Sequence, residues 1–272
     1  MSKLGLTGGI ILALFCLVAL LAPLIAPYSP HDFVGMPLEK PSALHWLGTD
    51  GAGQDIFSQL VYGTRVSLMV GIIVSLFSTV LGALIGLVAG FYGKWVDRIL
   101  MRFLDVFLTI PHLPLMLLLA AYFPPVLTTT IVVLTLFSWP MEAKLVRAQV
   151  LSLKKREYLE AARLAGAKNH YLMSRYLLPE LSPLLFSQVI LRSSWAILAE
   201  SGLAFLGLGD PTVKSWGMIL KQALSYEAIY FTPTWQWWLL PPGLCITLLI
   251  FAFTFLGYAL EERFNPTLKE VA

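Results

Sequence analysis

Charged residues are scarce in this chain of 272 residues. Only 13% of the residues are Asp, Glu, Lys or Arg, about half the share that a soluble globular domain usually carries. Hydrophobic residues make up 57% of the chain, and the mean hydropathy is +0.75. This balance argues against a soluble domain and predicts an integral membrane protein with several spans.

Cysteine and nucleotide-binding motifs are also nearly absent. The two cysteines, Cys16 and Cys245, lie in separate apolar runs without a second pair of Cys or His ligands nearby, which argues against a disulfide framework or a zinc site. No Gly-x4-Gly-Lys-Ser/Thr motif occurs, so the chain lacks a phosphate-binding loop of its own. We therefore expect neither a metal nor a nucleotide cofactor in this chain.

Catalytic residues are not evident either. An enzyme inside the membrane needs a nucleophile beside a base, or metal ligands at helical spacing. Ser138, His112 and Glu200 show no such spacing. We predict a protein without catalytic activity.

Six runs with few or no charges are long enough to cross a hydrocarbon core of about 30 Å. They cover residues 7–27, 66–93, 103–123, 126–146, 181–208 and 237–259. The first run exceeds the length of a signal-peptide core and has no Ala-x-Ala site at its end, so we interpret it as a retained helix. Pro124 and Pro125 separate the third run from the fourth, and Pro111 and Pro114 predict a kink in the third.

The distribution of charge predicts the orientation of these spans. Basic residues outnumber acids in 94–102 and in 142–180, where eight bases accompany four acids. The segments 28–65 and 209–236 carry no such excess of bases. The positive-inside rule then places segments 94–102 and 142–180 and both termini in the cytoplasm.

The predicted fold class is therefore an all-α integral membrane protein with six transmembrane helices. We divide the chain into three parts. Residues 1–65 hold the first helix and an extracytoplasmic segment, residues 66–262 form the core membrane domain with a cytoplasmic loop at about 147–180, and residues 263–272 form a cytoplasmic tail.

Small residues recur every four positions in the second span. Gly82, Gly86 and Gly90 fall on one face of a helix. Such a stripe lets a second helix approach closely, although glycine is also generally common in membrane helices. We predict that this face packs against another span.

The longest charged interval contains a stretch patterned as helix. Ala161, Ala162, Ala165 and Gly166 form a small-residue patch flanked by charges. Gly166 can adopt positive φ and would allow a turn between two short helices. The pattern fits a surface that docks on a partner, and it fits a solvated amphipathic helix equally well.

This stretch resembles the EAA loop of the membrane subunits of binding-protein-dependent ABC importers. That pattern is Glu-Ala-Ala, three residues, Gly, nine residues, Ile-x-Leu-Pro. Here it reads Glu160-Ala161-Ala162, then Gly166, then Leu178-Pro179, with Tyr176 in the Ile position. We call residues 160–179 the EAA segment.

The resemblance extends over most of the chain and narrows to the dipeptide, oligopeptide and nickel permeases. It includes residues 45–71, where Gln54 replaces a usual arginine. Residues 200–209, 216–220 and 265–266 also match. The resemblance implies the second-type permease chain, with the type I ABC importer permease fold.

The resemblance also implies the assembly. The expected partners are a second, related permease chain, two ATPase subunits that bind ATP and Mg²⁺, and an extracytoplasmic solute-binding protein, all at a bacterial or archaeal cytoplasmic membrane. No nucleic-acid partner is implied. Glu160, Ala161, Ala162, Gly166, Leu178 and Pro179 would contact the ATPases.

The cargo stays open at this stage. Peptides, nickel and metal–opine chelates all pass through permeases of this branch. A proton-coupled secondary transporter is the alternative of another class, but it usually shows internal repeats and more ionisable groups within its spans.

Three charged residues at membrane depth are weak candidates for the translocation pathway: Asp105, Arg192 and Glu200. Asp105 could reach the membrane interface or pair with Arg102. Arg192 and Glu200 lie about two helical turns apart. A structural role for these residues, as an ion pair or in contact with a partner permease, is the alternative.

Overall fold

The computed structural model describes residues 3–264, and within that range it contains helices but no extended strand. The helices are α1 Lys3–Leu20, α2 Ala22–Ile25, α3 Ile56–Tyr92, α4 Lys94–Thr109, α5 His112–Tyr122, α6 Leu127–Leu153, α7 Glu157–Leu164, α8 Asn169–Leu172, a π-helical turn Met173–Leu177, α9 Leu178–Phe205, α10 Trp216–Leu224, α11 Trp235–Trp238 and α12 Leu240–Phe264. The all-helical prediction is confirmed.

Five of the helical stretches are long and apolar enough to cross a membrane, and α4 with α5 supplies a sixth if the two count as one span. α3 packs along α6, and α9 packs against both α3 and α12. α1 lies at the edge of this bundle, because it contacts mainly α12 and has only Gly5 and Gly8 buried.

The predicted kink in the third span is in fact a break. α4 and α5 meet at 82° around Pro111. At 1.5 Å per residue α4 is about 24 Å long and α5 about 16 Å, so neither crosses a 30 Å core alone. The short cytoplasmic loop expected at 94–102 is the first part of α4.

The other predicted boundaries also shift. α3 begins at Ile56, so the expected domain boundary between residues 65 and 66 falls inside that helix. α6 continues to Leu153, beyond the expected end at 146. The last described residue is Phe264, so the Asn-Pro at 265–266 and most of the predicted tail lie outside the described residues.

The segment between α2 and α3 folds as a compact cap on the start of α3. Asp55 accepts a hydrogen bond from the Ser58 backbone N–H at 2.7 Å, which caps the helix. His45 Nδ1 lies 3.0 Å from the Asp55 carboxylate. Asp50 accepts a hydrogen bond from the Gln59 amide at 2.7 Å. These contacts explain why α3 starts one residue after Asp55.

A buried lysine joins this cap to the segment before α10. Lys214 Nζ donates to Gln54 Oε1 at 2.6 Å, across 160 positions of sequence. Burial lowers the pKa of Lys214, and the nearby Asp50 carboxylate opposes that shift. Gln54, which stands where the permeases that this sequence resembles usually have arginine, therefore accepts a hydrogen bond from a buried cation.

Candidate coupling segment and charged residues of the bundle

The EAA segment forms two short helices joined by a turn at Gly166. Gly166 has φ +87°, a conformation that glycine adopts without steric cost. No heavy atom of the described residues lies within 4 Å of a Cβ built at this position, apart from its immediate neighbours. The turn therefore projects away from the bundle into open space.

The surface around this turn is exposed. Glu160, Ala161, Ala165 and Gly166 are all exposed, and Ala162 is half-buried. At the end of α7, Leu164 is 85% exposed. Leu164 lies between the small residues of the EAA pattern and is not part of that pattern, so the sequence does not mark it.

The opposite side of the EAA segment, together with the residues that flank it, is anchored in the bundle. Leu159, Leu172, Leu177 and Leu181 are at most 5% exposed. They form one cluster with residues at the ends of α3 and α6, namely Ala83, Leu87, Phe91, Val146, Val150 and Leu153. The segment is therefore packed directly against the ends of α3 and α6.

Polar contacts reinforce this anchor. The Tyr158 hydroxyl donates a hydrogen bond to Glu180, and Arg156 lies 3.7 Å from the same carboxylate. Burial, and secondly the hydrogen bond to Glu180, raises the pKa of Tyr158 to about 12. Lys154 donates to the backbone carbonyl of Phe91, at the end of α3.

Leu178 and Pro179 lie inside a continuous helical stretch that runs from residue 169 to 205. A proline interrupts the regular hydrogen bonding of a helix. Here a π-helical turn precedes it, in which the Leu178 N–H bonds to the Met173 carbonyl five residues earlier. Pro179 therefore does not begin a separate segment, and Leu178 and Pro179 are both exposed at the end of the EAA segment.

The glycine stripe of α3 faces α6. A Cβ on Gly82 would lie 2.3 Å from Glu142 Cβ, and one on Gly86 would lie 2.4 Å from the Ala143 carbonyl oxygen. A Cβ on Gly90 would lie 2.8 Å from Val150. No side chain fits between the two backbones at these positions, so the glycines determine how closely α3 and α6 pack.

The weak pathway candidates have partners that the sequence analysis did not identify. Asp105 pairs with Lys144 of α6 at 2.7 Å instead of Arg102, and both side chains are partly exposed. Arg192 pairs with Glu142, fifty positions earlier on α6. The structure does not bring Arg192 and Glu200 together as an ion pair.

Glu200 lies near the end of α9. It is 2% exposed and accepts a weak hydrogen bond of 3.4 Å from Ser201. α10 packs closely beside it, as Gly217 of α10 shows: a Cβ built on this glycine would lie 2.6 Å from the Ser201 backbone. Glu200 is therefore enclosed where α9 and α10 meet.

The structure is a bundle of membrane-length helices, and an exposed helical segment is anchored to two of them. These features define a multi-pass membrane protein that presents a structured surface outside the bundle.

Comparison with known proteins identifies its family. Residues 82–270 match the family described as binding-protein-dependent transport system inner membrane component. Residues 1–41 match the N-terminal transmembrane domain of oligopeptide transport permease C. The chain belongs to this family of inner membrane permeases, and its fold is the type I permease fold.

Several relatives are similar over nearly the whole chain. A putative peptide permease protein of Brucella suis is 37% identical over 267 residues, which cover 97% of this chain and 87% of the relative. The dipeptide transport system permease protein DppC of Alkalihalophilus pseudofirmus is 34% identical, over 98% and 87% of the two chains. DppC of Bacillus subtilis is 37% identical, over 98% and 83%.

Proposed function

We propose that this chain is one of two permease subunits of an ATP-driven peptide importer. The family supports the role of transport subunit. The names of the relatives, a peptide permease and two dipeptide permeases, favour peptides over nickel or metal–opine chelates as cargo. The other subunits would be a second permease, two ATPases that bind ATP and Mg²⁺, and an extracytoplasmic solute-binding protein.

The EAA segment would couple this subunit to an ATPase. The observation that carries this proposal is its two-sided construction, with Leu164 and Gly166 exposed and the Leu159 side buried against α3 and α6. An apolar side chain at the tip can enter a pocket of a partner, and the flanking charges Glu160 and Arg163 can set the orientation. Movement of the ATPase would then shift the ends of α3 and α6 and rock the bundle.

Replacing Leu164 tests this coupling. Leu164→Glu changes a side chain that projects away from the fold, so we expect normal insertion and stability. The charge would be desolvated at the contact with the ATPase, so co-purification of the ATPases and ATP-dependent peptide uptake should both fall at least tenfold. Leu44→Glu, at a position 71% exposed in the cap before α3, is the matched control and should retain the ATPases.

The result would contradict the proposal if Leu164→Glu retained both the ATPases and the uptake. Uptake that persisted after ATP depletion while a proton gradient remained would instead support a proton-coupled secondary transporter. Native mass spectrometry of the ligand on the co-purified binding protein separates peptide from nickel or a metal chelate.

A further inference from the structure

We propose that α4 and the adjoining part of α6 form a binding site for an anionic phospholipid, with the headgroup phosphate on a row of bases and the acyl chains along the apolar face of α4. This site is separate from the coupling and transport roles proposed above. Three features of the region support it: a cavity lined by charged side chains, three cations in that cavity without an acidic partner, and an exposed apolar face on the same helix.

The cavity lies between α4 and α6 and has a volume of about 370 Å³. Apart from Met101, only charged side chains line it. Four are basic and two are acidic, namely Lys94, Arg98, Arg102 and Arg147 against Asp97 and Asp105. Pockets of ~300–1,000 Å³ hold small ligands. The excess of positive charge around this one favours an anion over a neutral or cationic ligand.

Both acids of the cavity are already paired within the fold. Arg147 of α6 donates to the two oxygens of Asp97 from Nε and Nη2, and the Nη2 bond is 2.6 Å long. Lys144, also on α6, donates to Asp105 at 2.7 Å. These pairs hold α4 against α6 and neutralise the two carboxylates with cations of α6. The carboxylates therefore do not balance the three bases that α4 itself contributes.

Those three bases, Lys94, Arg98 and Arg102, lack acidic partners. None of them forms an ion pair with any residue in the described range 3–264, and all three side chains are exposed. They lie four positions apart, so they form one row along the surface of α4. Like charges at this spacing on a helix repel one another. An anion bound along the row relieves that repulsion.

The neighbouring face of α4 is apolar and exposed. Trp95, Ile99, Phe103 and Val106 follow one another at helical spacing, and each is between 59% and 69% exposed. We call these four residues the apolar stripe. Each base of the row immediately precedes a residue of the stripe, which places the row about 100° from the stripe around the helix. The Arg98 guanidinium also lies over the Trp95 ring, 4.8 Å from its centroid.

The position of α4 in the bundle suits the boundary between headgroups and acyl chains. α4 begins directly after the uncharged stretch 66–93, which is long enough to span the hydrocarbon core. Tyr92 and Trp95 at this point are exposed, and aromatic residues of this kind are enriched at the membrane interface. A basic face beside an apolar face that carries Trp and Phe is typical of helices at that boundary.

A phospholipid matches both faces of α4 at once, because its phosphate and its acyl chains belong to one molecule. A soluble anion would contact the basic row alone and leave the apolar stripe uncovered. A headgroup with net negative charge is favoured over a zwitterionic one, since the cationic group of the latter offsets the charge of the phosphate. The geometry therefore favours a lipid such as phosphatidylglycerol over phosphatidylcholine.

Removal of the basic row is the main test. The variant combines Lys94→Gln, Arg98→Gln and Arg102→Gln in the full chain. None of these side chains makes an ion pair or hydrogen bond in the described part of the protein, so we expect normal folding. Native mass spectrometry of the chain in detergent counts the bound lipids during titration with phosphatidylglycerol or phosphatidylcholine. The wild type should bind phosphatidylglycerol roughly tenfold more tightly, and the variant should lose that preference.

The matched control removes the same amount of charge at the same end of the bundle but outside the cavity. It combines Lys155→Gln, Lys168→Gln and Arg175→Gln, three exposed bases that do not line the cavity. This control should keep the preference for phosphatidylglycerol. In the wild type the preference should also weaken at high salt, because exposed charges are screened.

A second variant, Ile99→Gln with Phe103→Gln, keeps every charge and alters only the apolar stripe. We expect it to bind phosphatidylglycerol several-fold more weakly than the wild type, since less apolar surface covers the chains. Soluble glycerol phosphate carries the phosphate without the chains, and at equal concentration it should not displace the lipid.

Four results would overturn the proposal. The first is equal affinity of the wild type for the two lipids, and the second is a basic-row variant that keeps the preference. Displacement of the lipid by an equal concentration of glycerol phosphate would assign the row to a soluble anion instead. Loss of ATPase co-purification in the basic-row variant, with lipid binding unchanged, would assign it to a protein interface.

Discussion

Replacement of Gly86 by alanine tests whether the glycine stripe determines the distance between α3 and α6. The added Cβ would lie 2.4 Å from the Ala143 carbonyl oxygen and 2.9 Å from the Arg147 nitrogen. Ordinary contacts begin at about 3.4 Å, so the two helices must separate by about 1 Å. Both obstructing atoms belong to the backbone of α6 and cannot rotate away. Overpacking of this kind costs about 1–3 kcal/mol.

The control for this experiment is Gly243→Ala. Alanine gains up to about 1 kcal/mol over glycine in a helix wherever it is placed, so the difference between the two variants isolates the packing term. Each kcal/mol shifts the melting temperature of a chain of this size by about 2–4 °C. We expect Gly86→Ala to melt several degrees below Gly243→Ala in thermal unfolding of the purified protein in detergent. Equal melting temperatures would refute the idea that backbone contact at the stripe sets the helix spacing.

Three further changes follow from the polar contacts. The pKa of Tyr158 is raised in the folded state, so the stability that this group contributes is complete below its ordinary pKa of 10 and is lost as the pH rises towards about 12. Tyr158→Phe should therefore remove this loss between pH 10 and pH 12. Chemical unfolding at a series of pH values measures the effect. Gln54→Arg would place a second cation beside buried Lys214 and lower the melting temperature, and Lys214→Glu should restore it. Glu142→Ala would remove the partner of Arg192 between α6 and α9 and should cost about 3–5 kcal/mol of unfolding free energy in detergent. The double variant Glu142→Gln with Arg192→Gln leaves no unpaired ion and should cost far less.

Hydropathy and charge sufficed to predict much of this architecture. The apolar runs located the five long helices, because the cost of placing charge in hydrocarbon applies to each residue separately. The small-residue stripe of α3 and the turn at Gly166 could also be read locally, since each depends on residues close together in the sequence. The inside and outside assignment of the segments stays a prediction, because the structure contains no membrane.

Other features depend on how the helices are rotated and at what depth they meet. Pro111 predicts a disturbance, but the 82° angle between α4 and α5 is a feature of the folded chain, in which α4 also pairs with α6 through Asp97 and Arg147. Pro179 reads as a boundary, yet the helix continues because a π-helical turn absorbs the missing hydrogen bond. Neither outcome follows from the local residue pattern alone.

The sequence by itself therefore determined that this protein is embedded in a membrane and that a polar, small-residue segment projects from it, because both are local consequences of residue composition. Only the tertiary structure decided that Arg192 of α9 pairs with Glu142 of α6 and that a cavity lined by His112 remains between α5 and α9. Residues fifty positions apart meet only when their two helices place them at the same depth and turn them towards each other. The local residue pattern does not determine how each helix is rotated about its axis.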